Sequence, residues 1–304
     1  MTDGPPTGLV LSLDGSTDVC TTALLCNPSG SAWRVAARRS EAEERAQARV
    51  LLHLVHDMLH EIGRVPADLA AIVVGTGPGT FTGVRIAVAT ARALALSLSV
   101  PVFGVATLAA LAAEAATQAG WATTQGEDTR LLLPIVDGRR RQVFYGVYRR
   151  GAGAAPGRST WVRTEAYGVC DRVELPAFVK DLACDLHGSI LVTGDVADVL
   201  DALHDDGPSA PGTLHVWRRP ATIAAEWLVR GQERLEEPGA LPAGASLSPY
   251  LASAVAGRGP AVTGTDVDTE IGAVGSPESV RPLYVRPPDA DIHITKMRDP
   301  WAVR

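Results

Sequence analysis

The sequence Gly75-Thr76-Gly77-Pro78-Gly79-Thr80-Phe81-Thr82-Gly83-Val84-Arg85 decides the fold of this chain. It lies between the apolar runs 70–74 and 86–98, an order that predicts a buried strand, a glycine-rich loop and a long helix. Glycine accepts positive φ and lets other backbone approach closely, and the N–H groups at the helix start could receive an anion. The stretch is not a P-loop, because no lysine stands beside its last glycine. The residues alone leave a tight turn and an anion site both open.

Composition restricts the class of protein. The chain has 304 residues, 46% of them hydrophobic, which is enough to bury the core of one or two domains. Its formal net charge of −6 argues against a protein that grips a nucleic-acid backbone on its own. The sequence shows no signal peptide and no Cys-x-x-Cys pair, and polar residues and a proline interrupt the uncharged segment 93–113. These features predict a cytoplasmic protein with reduced thiols and no membrane span.

Two successive β-β-β-α-β-α patterns run along the chain, each with an Asp-Gly step after its first strand. This order is shared by actin, hexokinase and the heat-shock chaperone ATPases, so we expect an α/β, duplicated, actin/hexokinase-like (ASKHA) fold with two lobes. The expected strands are 9–14, 19–25, 33–37, 69–74, 102–105, 131–136, 142–148, 159–165 and 190–193. The expected helices are 41–62, 82–98, one from 107, 172–182, 196–203 and 222–234.

The same pattern predicts the domain organisation. We expect an N-terminal lobe over 1–120 and a C-terminal lobe over 121–236. A low-complexity insertion rich in Ala, Gly and Pro follows over 237–280. The segment 281–304 is then expected to return to the fold.

The glycine-rich stretch also resembles the signature of the TsaB (YeaZ) family, the non-catalytic dimerization subunit of the bacterial tRNA threonylcarbamoyladenosine modification complex. Four further segments resemble that family in the same order along the chain, namely 9–17, 101–105, 134–140 and 282–286. The resemblance covers roughly residues 9–235 and the closing region around Tyr284. It implies the same actin-like fold.

The resemblance also implies a function. The chain would be a cytoplasmic scaffold that binds and activates a catalytic TsaD-type paralogue, together with a small TsaE-type ATPase. Pairing of the chain with itself in a homodimer is the other assembly it implies, and any contact with tRNA would be indirect or shared. No cofactor is expected. The paralogue has its two metal-binding histidines at the positions of Thr107 and Leu111, which are poor or impossible metal ligands, so the resemblance implies a pseudo-enzyme without catalytic residues.

Two helices carry the docking surface that the resemblance implies, one over 41–62 and one over 82–98. The second is apolar or small almost throughout, so it must be covered on most sides, either by this chain or by a partner. The sequence leaves open whether this chain or a partner covers the helix. A glutamate at Ala91 or Ala95 is expected to impair assembly more than folding. The expected interface residues are Leu52, Val55, Leu59, Phe81, Thr82, Arg85, Val88, Ala91, Arg92 and Ala95.

An alternative function is a nucleotide-dependent enzyme of the same fold with ATP in the interlobe cleft. Asp14 and Asp137 occupy equivalent places in the two halves, where nucleotide-binding members of the fold direct carboxylates at the phosphates and their metal. The residues of such a vestigial nucleotide or phosphate site are Asp14, Ser16, Asp137, Gly77 and Gly79. The simpler interpretation is that each Asp-Gly step forms a two-residue hairpin turn.

A stripe of histidines on the 41–62 helix is a candidate metal site. His56 and His60 are one turn apart and His53 lies beside them, a spacing that a zinc site could use. No third ligand follows from the sequence, so a polar helix face is the favoured interpretation. We therefore expect no metal site.

Overall fold

The structure is a computed structural model. It describes residues 8–27, 33–42, 47–121, 130–152, 159–186, 189–194, 196, 199, 214–218, 225–230, 235–236 and 276–285. These residues form two β-sheets with helices packed on their faces.

The first sheet contains β1 (Leu9–Asp14), β2 (Cys20–Cys26), β3 (Arg34–Glu41), β4 (Leu69–Gly75) and β5 (Val102–Val105). Their order across the sheet is β3-β2-β1-β4-β5. β1, β2 and β3 are antiparallel neighbours, whereas β4 and β5 are parallel to β1. β1 and β2 are buried along their whole lengths because helices cover both faces of the sheet at its centre.

Three helices belong to this first lobe: α1 (Gln47–Glu61), α2 (Phe81–Leu98) and α3 (Thr107–Gln118). α1 and α2 lie side by side on one face of the sheet, where their apolar stripes share one core with the strands. Leu51 and Met58 of α1 and Ala87 and Ala91 of α2 are completely buried there. The two helices of the implied docking surface are therefore neighbours.

The second sheet contains β6 (Leu131–Arg139), β7 (Gln142–Tyr145), β8 (Tyr148–Ala152), β9 (Ser159–Arg163), β10 (Gly168–Asp171), β11 (Ile190–Gly194), β12 (Leu214–Arg218) and β13 (Leu235–Glu236). β7 and β8 pair with β6 in one antiparallel register, so together they form one interrupted strand. β11 lies parallel to β6 on its other side, and β12 lies parallel to β11. The order β12-β11-β6-β7/β8 repeats the order β5-β4-β1-β2, and this repetition confirms the duplicated actin/hexokinase-like fold.

The two lobes share a hydrophobic core. α3 and a short helix, α5 (Glu226–Arg230), lie between the sheets, and α4 (Leu175–Leu186) packs on the far side of the second sheet. Residues Thr107 to Ala116 of α3 are all buried. Most of them are alanine, and this small side chain lets both sheets approach the helix closely.

Several predicted boundaries are wrong for identifiable reasons. The helix predicted from residue 41 is replaced there by the end of β3, because Glu41 pairs with Cys20 across the sheet, and α1 is described from Gln47. β10, β12, β13 and most of β8 are absent from the predicted strands. The predicted helix 196–203, parts of the helix 222–234 and most of the insertion 237–280 lie outside the described residues.

The predicted two-residue Asp-Gly turns are also wrong. β1 ends at Asp14 and the connection to β2 runs over residues 15–19. In the second half, β6 continues past Asp137 to Arg139, which pairs with Gln142, and the register shifts between Asp137 and Arg139. The turn therefore falls three residues later than predicted, at Arg140 and Arg141, because the strand passes through an irregularity at Gly138.

The uncharged segment 93–113 contains the end of α2, the strand β5 and the start of α3, as predicted. Among the described helices, α2 alone is long and apolar enough to cross a membrane by length and composition. One side of α2 is buried against the sheet of the first lobe and α1.

Candidate functional site

The glycine loop between β4 and α2 packs tightly against the connection between β1 and β2. The Thr80 N–H donates a hydrogen bond to the Ser16 carbonyl at 2.7 Å. A Cβ at Gly79 would overlap that carbonyl, and a Cβ at Gly75 would overlap the Asp14 carboxylate. These glycines are therefore required for the close approach of neighbouring chain segments.

Asp14 is the centre of a buried hydrogen-bond network. Its Oδ1 accepts from the backbone N–H and the hydroxyl of Ser16, at 2.8 Å and 2.5 Å. Its Oδ2 accepts from the Thr107 hydroxyl at 2.8 Å, and that hydroxyl in turn accepts from the Gly77 N–H at 3.2 Å. Asp14, Ser16 and Thr107 are each at most 1% exposed. The network therefore ties the end of β1 to the glycine loop and to the start of α3.

The C-terminal part of the described chain covers the same loop. The Leu283 N–H donates to the Thr76 carbonyl at 2.8 Å. Val280 is buried in the core of the first lobe, where it would contact a Cβ added at Gly104. The described residues 276–285 therefore pack on the first lobe beside the glycine loop.

An exposed cluster of one cation and two aromatic rings marks the start of α2. Arg85 Nε donates to the Tyr284 hydroxyl at 2.7 Å, and its guanidinium lies 3.7 Å from the centre of the Phe81 ring. Phe81 is 41% exposed and Tyr284 is 45% exposed. The C-terminal segment therefore contributes a side chain to the surface of α2. The sequence did not predict this contact, because Arg85 and Tyr284 are 199 residues apart.

The structure divides the expected interface residues into two groups. Leu52, Phe81, Thr82 and Arg85 are exposed, and Arg92 is half-buried. The other five are covered by this chain and are at most 5% exposed: Val55, Leu59, Val88, Ala91 and Ala95. No partner can reach these five in the folded chain, and a glutamate at Ala91 or Ala95 would enter the core. The rest of this chain thus covers one side of α2 and leaves the other side exposed.

The exposed side of α2 forms a surface of which the sequence prediction included only Arg85 and the neighbouring Leu52. Arg85, Ala89 and Ala93 follow one another at four-residue spacing on that side, and Leu96 continues it with 61% exposure. Leu52 of the neighbouring α1 is 49% exposed. We call these five residues the α1–α2 surface. The two arginines of α2 could have located its solvent side, since a charged residue in an apolar helix rarely faces the core.

Asp137 does not join Asp14. Its Oδ1 accepts from the Arg139 backbone N–H and from the Arg172 guanidinium, both at 2.8 Å. The Arg139 guanidinium also contacts Asp18, in the connection between β1 and β2. The structure therefore brings Asp14, Ser16, Gly77 and Gly79 of the candidate phosphate set together, and places Asp137 in a separate arginine cluster.

Cys20 and Cys170 lack the lowered pKa of an activated nucleophile. Burial, reinforced by the charge of Asp14, raises the pKa of Cys20 to about 11. Burial also raises the pKa of Cys170 to about 11, with a smaller contribution from Glu174. Both thiols are protonated at neutral pH, whereas nucleophilic cysteines have lowered pKa values.

The histidine stripe lies on the exposed side of α1. The His56 and His60 rings stack with their centres 6.4 Å apart. Within the described ranges, no group of three His, Cys, Asp or Glu side chains is placed to hold a metal ion.

Comparisons with known proteins agree with this architecture. The family model for TsaD, tRNA N6-adenosine threonylcarbamoyltransferase, matches residues 40–159. The TsaB protein of Escherichia coli K12 is 33% identical over 143 residues, and that of Bacillus subtilis 168 is 35% identical over 95 residues. The crystal structure of YeaZ from Pseudomonas aeruginosa superposes with a TM-score of 0.51 at 26% identity, over 73% of this chain and 89% of that one. The chain is therefore similar to proteins of the TsaB (YeaZ) family.

A second structure from Pseudomonas aeruginosa, an uncharacterized protein with similarity to peptidase YEAZ, shares the fold over a longer range. It superposes with a TM-score of 0.55 at 24% identity, over 92% of this chain and the whole of that one. The sequence matches are shorter. They span 46% of this chain and 55% of the E. coli TsaB protein, and 31% and 37% for the B. subtilis protein.

Proposed function

We propose that this chain is a non-catalytic assembly subunit of a tRNA N6-threonylcarbamoyladenosine (t6A) biosynthesis complex, and that it binds and activates a TsaD-type catalytic paralogue. The proposal is supported by similarity to TsaB proteins together with one structural observation. That observation is the hydrogen-bond network of Asp14, Thr107 and Gly77, which engages the Thr107 hydroxyl in contacts within the chain.

The case against a catalytic role comes from the residues at that place. By resemblance, Thr107 and Leu111 stand where the catalytic paralogue has its metal-binding histidines. Thr107 is completely buried and its hydroxyl is engaged by Asp14 and Gly77, and Leu111 is 1% exposed with an aliphatic side chain. Neither Thr107 nor Leu111 supplies the imidazole ligand that a histidine would, and both side chains are buried. The chain is therefore a pseudo-enzyme in this proposal.

The α1–α2 surface is the proposed docking site for the catalytic paralogue. Ala89 and Ala93 have small side chains, which let a partner helix approach α2 closely. Leu96 and Leu52 offer exposed apolar area for burial, and Arg85, held against Phe81 and Tyr284, offers an oriented cation. Pairing of two copies of this chain through the same surface is the competing assembly.

The remaining partners follow from the same proposal. A small TsaE-type ATPase would join the complex, and tRNA would be bound jointly with the catalytic paralogue in the cytoplasm. The net charge of −6 is consistent with this sharing, because an acidic chain lacks a general attraction for RNA.

A matched pair of variants tests the docking surface. Leu96→Glu places a charge on the α1–α2 surface, and Val173→Glu places one at another exposed apolar position, since Val173 is 73% exposed. We expect size-exclusion chromatography and calorimetry to show that Leu96→Glu weakens association with the catalytic paralogue at least tenfold, whereas Val173→Glu does not. Equal association of both variants would refute this surface.

The alternative function, a nucleotide-dependent enzyme, can be tested with the isolated chain. Titration of the isolated chain with ATP and magnesium should release no binding heat in the micromolar range, because Asp14 already accepts three hydrogen bonds inside the loop. Micromolar binding with turnover by the isolated chain would favour the enzyme.

A further inference from the structure

The turn between β6 and β7 is built from arginines in an unfavourable backbone conformation. Arg139, Arg140 and Arg141 have φ values of 61°, 52° and 64°, and all three are exposed. The left-handed region is unfavourable for a residue with a Cβ, and hairpin turns that need it normally use glycine or asparagine. The turn geometry therefore does not explain why three arginines stand here.

Two arginines of the neighbourhood anchor the turn. Arg139 contacts Asp18 of the first lobe and Asp137 of its own strand, and Arg172 binds Asp137 at 2.8 Å. The Arg172 backbone N–H also donates to the Arg141 carbonyl at 2.8 Å. These contacts fix the backbone of the turn on both sides and use the charges of Asp18 and Asp137.

The charge around the turn is unevenly distributed. Asp171 ends β10 and Glu174 lies on the adjacent connection from β10 to α4, so the wider area carries charges of both signs. The turn itself carries positive charge only, at the exposed residues Arg140 and Arg141, and Arg140 also has an interaction within the chain. This is a small cationic projection on an otherwise acidic protein.

We propose that Arg140 and Arg141 bind phosphate groups of an RNA backbone. This inference rests on the proposed function, in which the RNA is the tRNA substrate of the complex. The planar guanidinium group matches the geometry of a phosphate and can donate two parallel hydrogen bonds to it. A contact limited to two phosphates is weak alone, in keeping with the net charge, and adds to the contacts made by the catalytic partner.

The salt dependence of tRNA binding tests the contact. Labelled, unmodified tRNA that reads a codon beginning with A is titrated at several salt concentrations with the full chain, alone and with its catalytic paralogue. We expect the Arg140→Gln, Arg141→Gln double variant to lower the slope of log affinity against log salt by about 1.4, at about 0.7 per phosphate, with about tenfold weaker binding near 100 mM salt. Arg149→Gln, an exposed arginine of the same sheet, is the matched control and should bind like the wild type.

A second double variant separates loss of binding from loss of structure. Arg140→Gly with Arg141→Gly suits the left-handed backbone, so its Tm should equal or exceed that of the wild type while tRNA affinity falls as in the glutamine variant. Wild-type tRNA affinity in both double variants would overturn the proposal. So would unchanged tRNA affinity with weakened binding of the protein partner, which would mark an acidic protein surface as the ligand. Failure of the wild-type chain to assemble with the paralogue would refute the proposed function instead, and tRNA binding by the chain alone would still decide the arginine contact.

Discussion

The Arg139 guanidinium of the second lobe contacts the Asp18 carboxylate of the first lobe. The two residues belong to equivalent connections of the duplicated fold, between β1 and β2 and between β6 and β7. In the alternative enzyme, these two connections would cradle the phosphates of a nucleotide. Here an ion pair joins them directly, next to the Asp137 and Arg172 pair.

This ion pair should contribute little to stability. Both side chains are 48% exposed, and exposed pairs typically contribute about 0–1 kcal/mol. A double-mutant cycle of Asp18→Asn and Arg139→Gln, measured by urea unfolding, should give a coupling free energy in that range. The coupling should shrink between about 50 mM and about 500 mM salt, because added salt shortens the screening length between exposed charges. A coupling free energy above about 2 kcal/mol that resists salt would mean that the pair, rather than the core around α3, holds the lobes together.

The Thr107 hydroxyl should stabilise the fold through the two bonds it makes. Thr107→Ala removes the donor to Asp14 and the acceptor for Gly77 in a fully buried place, and this should cost about 1–3 kcal/mol in the free energy of unfolding. Thr107→Ser retains the hydroxyl and serves as the control, with a smaller loss. Equal stability of the two variants in urea would show that the network is dispensable.

The glycine loop should not tolerate a methyl group at Gly79. Because a Cβ there overlaps the Ser16 carbonyl, Gly79→Ala should cost about 3 kcal/mol or more, or prevent folding. Gly63→Ala is the contrast, since that position has φ of +65° but open space around it, and only the backbone cost of about 1–2 kcal/mol applies. Thermal and urea unfolding of both variants measure the difference. Similar losses would indicate that the loop can move away from Ser16.

The sequence predicted the fold class correctly because its signals are local or periodic. The buried strands and the helix after the glycine loop follow from apolar runs and glycine positions. The errors occur where a contact distant in sequence decides the outcome. Pairing with Cys20 keeps Glu41 in a strand, and an irregular register at Gly138 moves the second turn to the arginines.

The candidate site was harder to predict than the fold. The composition of α2 indicates that it must be covered, but not which side the sheet covers, and so Val88, Ala91 and Ala95 were assigned to a partner although they lie in the core. Likewise, the Asp-Gly steps gave no indication that Asp14 bonds to Thr107, 93 residues away. Tyr284 joins Arg85 only because the C-terminal segment returns across the glycine loop.

The cysteines should make the protein less stable in alkali. The pKa of Cys20 and that of Cys170 are raised from 9.0 to about 11, chiefly by burial. The folded state therefore favours the protonated thiols, and this contribution is complete below about pH 9 and lost as the pH rises toward 11. The free energy of unfolding, measured in urea at about pH 8.5 and about pH 10.5, should fall more in the wild type than in a Cys20→Ala, Cys170→Ala variant. The first pH lies below the unfolded-state pKa of the thiols and the second lies well above it. An identical pH dependence in both proteins would contradict the raised pKa values.

The central claim is that this chain supports threonylcarbamoyl transfer without performing it. The most direct measurement follows the incorporation of radiolabelled threonine into unmodified tRNA, with the catalytic paralogue, the small ATPase and a supply of activated threonylcarbamoyl group present. We predict incorporation when this chain is added, none when it is omitted, and none from this chain alone. Incorporation by the isolated chain, or full activity in its absence, would contradict the account.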